Sequence, residues 1–80
     1  MDLSTVVKNR INQLAYDNRI TINKMAENAG LAPSSLKNIL YGRSKSPKLC
    51  TIKILCDGLG ITLAEFFNTK EFNELEQEIK

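Results

Sequence analysis

Between Glu27 and Asp57 the chain carries Lys37, Arg43, Lys45, Lys48 and Lys53 with no acidic residue among them. Among and just before these cations stand Ser34, Ser35, Asn38 and Tyr41, whose side chains donate or accept hydrogen bonds. Such a set supports no bond-breaking chemistry, because the chain has no His and its carboxylates are scattered. What it supports is recognition. A concentrated basic surface implies a polyanionic partner, of which nucleic acid is the commonest. From charge alone, the alternative is a merely solvated run of lysines.

The overall charge hides this asymmetry. The 80 residues sum to +2, yet residues 1–60 hold nine Lys or Arg against four acids, whereas residues 61–80 hold two Lys against five Glu. With 42% hydrophobic and 25% charged residues, the chain reads as one small globular domain with a modest core.

Helical periodicity supplies the elements that must position the polar set. Leu3, Val7, Ile11 and Leu14 form one face of a first helix, with Asp2 or Ser4 as its cap. That helix is expected to stop near "YDNR", with Asn18 in the left-handed conformation and Thr21 capping the next. A second helix, "INKMAENA", ends at Gly30. A third, residues 33–41, starts with Pro33 and buries Leu36, Ile39 and Leu40, with Gly42 at its C-terminal stop. Ala32 cannot cap it, so a shorter helix capped by Ser34 is the alternative. A fourth helix, "KLCTIKILCDGL", turns Leu49, Ile52, Cys56 and Leu59 inward. Thr62 and Glu65 form a capping box that opens a fifth helix through Phe66 and Phe67. The tail "TKEFNELEQEIK" continues or restarts a helix.

Ala26, small enough for close helix approach, is followed by Gly30 at a sharp turn and by Leu36 and Ile39, which wedge the third helix against the core. This leaves Ser34, Ser35, Lys37, Asn38 and Tyr41 on the opposite face. The stretches "TINKMAENAGLAPSSLKNILYG", "SPKLCTIKILCDGLGIT" and "LAEFF" resemble the lambda-repressor-like (Cro/cI, XRE-type) helix-turn-helix family, the likeness covering residues 6–67. The resemblance implies an all-α, compact five-helix bundle that binds double-stranded DNA, with the second helix of the motif in the major groove. It places Pro33, Ser34 and Asn38 at base edges, with Ser35 and Lys37 beside them. Asn suits adenine, Lys suits guanine, and Ser serves several bases or a phosphate. Thr21, Tyr41, Arg43, Lys45 and Lys48 would lie along the phosphates, giving affinity and register. For Tyr41, an edge-of-core position with its hydroxyl in water is the competing role.

The chain departs from the family at Ile22, where a phosphate-binding Gln is common, and at Pro33, where a polar residue is common. Ala15 and Leu40 likewise replace an ion pair frequent in the family, a swap of charge for packing that need not weaken the fold. The implied role is that of a DNA-binding transcriptional regulator, a repressor that acts as a homodimer on a two-fold operator. A scaffold used for protein–protein interaction, or an antitoxin, is the alternative.

Residues 1–67 are expected to form the DNA-binding domain and residues 68–80 an acidic amphipathic tail. In that tail Phe72, Leu75 and Ile79 recur on one face and extend the patch of Phe66 and Phe67. The face either folds back on its own domain, pairs with a second copy, or frays. Ile54, off the inward stripe of its helix, is a further candidate for a dimer surface.

Cys50 and Cys56 fall on different faces of one helix and cannot pair with each other, and no His is present to complete a zinc site. No metal, cofactor, small-molecule ligand or enzymatic activity is expected. The chain also lacks an apolar run of membrane-spanning length, and "MDLSTVV" lacks the pattern of a signal peptide, so the expected location is the cytoplasm.

Overall fold

Four helices of this protein begin on a side-chain oxygen that accepts a backbone N–H. The computed structural model describes residues 2–41 and 47–77, and among these six helices follow in order: α1 (Leu3–Asp17), α2 (Ile22–Asn28), α3 (Pro33–Leu40), α4 (Leu49–Leu59), α5 (Leu63–Phe67) and α6 (Lys70–Asn73), with no strand. Asp2 caps α1 by accepting from the Thr5 amide at 2.8 Å, and Thr21 caps α2 by accepting from the Lys24 amide at 3.0 Å. Thr62 and Glu65 form the expected reciprocal box, both bonds at 3.0 Å, and Thr69 opens α6. The architecture is the expected all-α one, and the tail restarts as a sixth short helix.

The ends of α1, α2 and α4 are built alike. In each, a left-handed residue is followed by an apolar residue whose N–H returns to a carbonyl five positions earlier: Ile20 to Ala15 at 3.0 Å, Leu31 to Ala26 at 2.9 Å and Ile61 to Cys56 at 3.0 Å. The same three apolar residues pack against the core. Each turn therefore closes the helix and inserts a side chain in one step. At two of these ends the left-handed residue is glycine, Gly30 and Gly60. At the first it is Arg19, at φ 55°, and not Asn18, which stays right-handed and returns its side-chain amide to the Leu14 carbonyl at 2.8 Å. Burial of Ile20 sets that register.

The core is entirely apolar, with no buried polar side chain among the described residues. Val7, Ile11, Leu14 and Ala15 enter it from α1, Met25 and Ala26 from α2, Leu36 and Ile39 from α3, Ile52, Leu55 and Cys56 from α4, and Phe66 from α5. Two stripe positions read from periodicity are not in it. Leu3 is 46% exposed and Leu49 is 61% exposed, because each is the first residue of its helix and projects past the bundle; Val6 and Leu55 are buried instead.

Helix α2 packs on both α3 and α4. Its approach to α4 is close enough that a methyl group on Gly58 would lie 2.9 Å from the Cα of Ala29. Arg10 of α1 donates to two carbonyls of α5, Nε to Phe66 at 2.7 Å and a terminal nitrogen to Glu65 at 2.9 Å, with its guanidinium 5.9 Å from the Phe66 ring centre. The rings of Phe66, Phe67 and Phe72 then bind α6 to α5, at 4.9 Å for each of the two edge-to-face pairs involving Phe67.

Candidate nucleic-acid interface

Leu36 and Ile39 hold α3 to the bundle, and this fixes which side chains point away. Ser34, Ser35, Lys37 and Asn38 are all exposed, while Pro33 at the first helical position is half-buried. The helix starts at Pro33 behind Ala32, which makes no side-chain cap; Ser34 is therefore not the cap, and its hydroxyl stands in solvent with that of Ser35. Proline contributes no N–H to the uncapped turn, and the Ser35 amide reaches the Ala32 carbonyl at 3.0 Å. The result is a short helix with two hydroxyls, an ammonium and a carboxamide along one outward face.

Three other sequence-derived positions stand at helix ends. Tyr41, 72% exposed, closes α3 as its C-terminal cap residue. Thr21 is exposed at the start of α2; its oxygen accepts the Lys24 amide, and its hydroxyl hydrogen is still available to a phosphate. Lys48 is exposed at the start of α4. Arg43 and Lys45 lie outside the described residues, as does Gly42. Lys53 is taken up by its own helix, pairing with Asp57 one turn on, which weakens its part in the basic run. Among the described residues neither Lys37 nor Lys48 has an ion-pair partner, whereas Lys24 faces Glu27 at 3.9 Å and Lys70 faces Glu74 at 3.8 Å.

Positions expected to be apolar or to pair copies are also placed. Ile22 is half-buried and packs on the core, so its side chain belongs to the fold. Ala15 is buried and Leu40 packs against the same cluster, an all-apolar joint. Phe67 and Phe72 are engaged within the domain, Leu75 is half-buried, Ile54 is 39% exposed, and Ile79 lies outside the described residues. The cysteines are on opposite sides of α4, Cys50 exposed and Cys56 buried. No group of three potential metal ligands occurs among the described residues.

Arg10 escaped the sequence reading altogether. The carbonyls it holds are 55 and 56 residues away, and no local pattern announces such a contact.

Two helices joined by a four-residue turn, the second exposing a polar and basic face while its other side enters the core, define a helix-turn-helix protein. A family model described as the Cro/C1-type HTH DNA-binding domain matches residues 10–71, and the chain belongs to that family. The crystal structure of the prophage Lp1 protein 11 is similar, with a TM-score of 0.81 at 34% sequence identity over 92% of this chain and 97% of that one. No curated protein sequence matches the chain. No helix among the described residues is long and apolar enough to cross a membrane.

Proposed function

We propose that this protein is a transcriptional repressor that lays α3 in the major groove of duplex DNA. The observation that carries this reading is the outward face of α3. Its side chains are short hydrogen-bonding groups and a cation, with no acid paired to it among the described residues, on a helix that the family uses for DNA. Ser34, Ser35, Lys37 and Asn38 read base edges, Asn38 by paired bonds to adenine and Lys37 by donation to guanine, while Pro33 packs on a thymine methyl. Thr21, Tyr41, Arg43, Lys45 and Lys48 hold phosphates.

The protein acts as a homodimer in the cytoplasm, blocking polymerase by occupying a two-fold operator. A two-fold operator places the two α3 helices about 34 Å, one DNA turn, apart. Residues 1–67 form the DNA-binding unit, and the acidic segment 68–80 carries Leu75 and Ile79, which with Ile54 are the apolar groups for the partner copy.

The deciding experiment is fluorescence anisotropy of a labelled random-sequence duplex across a salt series. Binding should weaken linearly on a log–log salt plot, and a triple variant neutral at Lys37, Arg43 and Lys45 should lose it. Within a selected operator, Asn38→Ala is expected to relax preference at one position by about 1–3 kcal/mol, while Lys48→Ala weakens all sequences alike. Absence of binding at low salt would overturn the reading.

A further inference from the structure

Among the described residues Arg19 is the one non-glycine side chain on a left-handed backbone. An L-residue is strained there, and glycine or asparagine would be the residue of least strain. The position itself is forced, because Ile20 must reach the core and its N–H must reach Ala15. The residue type is not forced. Nor does the arginine recover anything from the fold: its side chain is exposed, and among the described residues no carboxylate pairs with it. The acid nearest in sequence, Asp17, accepts from the Gln13 amide at 2.8 Å, one turn back on α1. The guanidinium thus stands in solvent at the corner where α1 gives way to α2, two residues before Thr21, within residues 1–60, which carry the net positive charge.

A strained residue whose side chain has no partner among the described residues points to a partner outside the chain. A guanidinium presents a planar fork of donors that matches a phosphate in two places. We propose that Arg19 binds a backbone phosphate of the DNA, extending the contact surface from α3 onto the α1–α2 corner; the inference rests on the proposed function. The contact supplies affinity and register and carries no base information.

The full-length chain and its Arg19→Gly, Arg19→Gln and Arg19→Lys variants test this by paired thermal melts and anisotropy titrations. Arg19→Gly relieves the backbone and should raise Tm by about 4 °C or more. The same variant should bind random duplex about tenfold more weakly at low salt, with a log–log salt slope shallower by about 0.9. Arg19→Gln should show the same loss without the gain in Tm, and Arg19→Lys should keep the wild-type slope. An Arg19→Gly protein that binds with wild-type affinity and slope would overturn the inference while leaving the proposed function intact. A loss confined to one base position would overturn it too. A wild-type chain that binds no duplex overturns the proposed function, and this inference falls with it.

Discussion

Cys50 and Cys56 share α4 but not an environment, and the difference is measurable. Burial pushes the Cys56 thiol up from its ordinary value of 9.0, whereas Cys50 is open to solvent. A thiol reagent should therefore titrate one group per native chain and two in denaturant; two in the native state would refute the placement. The raised value also sets a sign for alkaline stability. The neutral thiol is the form the core prefers, so its contribution is complete below the unfolded value and is lost as pH rises through the folded one. Urea midpoints should therefore fall as pH rises above the ordinary thiol range, and fall less in Cys56→Ala, a variant already weakened by the lost side chain. Asp2 works in the opposite sense. Hydrogen bonds from Thr5 lower its carboxyl, so its support for α1 is present above the ordinary carboxylate range and drains away as pH falls through its folded value. At this scale the sequence was a good guide wherever the partner is near: Asp2, Thr21 and Thr62 find their amides three residues on. Asn18 was the exception, since its own preference for the left-handed turn yields to the burial of Ile20.

Helices meet in this protein through contacts that no local pattern displays. Gly58 lies within α4, where alanine would ordinarily favour the helix by about 1 kcal/mol. Here the added methyl would press on the backbone of Ala29, and forcing two packed helices apart costs about 1–3 kcal/mol. Gly58→Ala is accordingly expected to be neutral to about 2 kcal/mol destabilising in urea; clear stabilisation would show that α2 and α4 are not in contact as described. Arg10 offers a second test, because Arg10→Met keeps much of the packing while removing both bonds to the end of α5. A loss of about 1.5–3 kcal/mol is expected, and an unchanged urea midpoint would deny the strap. Both contacts depend on which surfaces the fold brings together, so neither was legible beforehand. The helices themselves were legible, since their periodicity and caps are local. Leu3 and Leu49 show the limit of that reasoning: a stripe gives direction around an axis but not whether the bundle extends far enough along it to cover the end.

Taken whole, the molecule has one apolar core that draws on all five helices from α1 to α5, with Phe72 of α6 packed at its margin. Unfolding should consequently be a single transition, with helix signal and Cys56 reactivity changing together. Phe72→Ala should destabilise the fold as a whole by about 2 kcal/mol or more, rather than release α6 by itself; separate transitions for the two probes would contradict a unified core. The outward face of α3 was legible as a set of exposed residues because α3 needs only Leu36 and Ile39 to orient it. The turn at Arg19, like those at Gly30 and Gly60 a corner that seats an apolar residue, was less so, because the packing of Ile20 decides which residue there goes left-handed. Those turns have a bearing on how such a chain can diverge. Because Ile20, Leu31 and Ile61 each pack against the core immediately after a helix stop, adding or deleting one residue there would withdraw a packed side chain and misdirect the next helix together. Substitutions of similar volume inside the apolar core should thus be accepted far more often than changes of length at these three corners, and related chains should drift in composition while keeping the spacing between their helices.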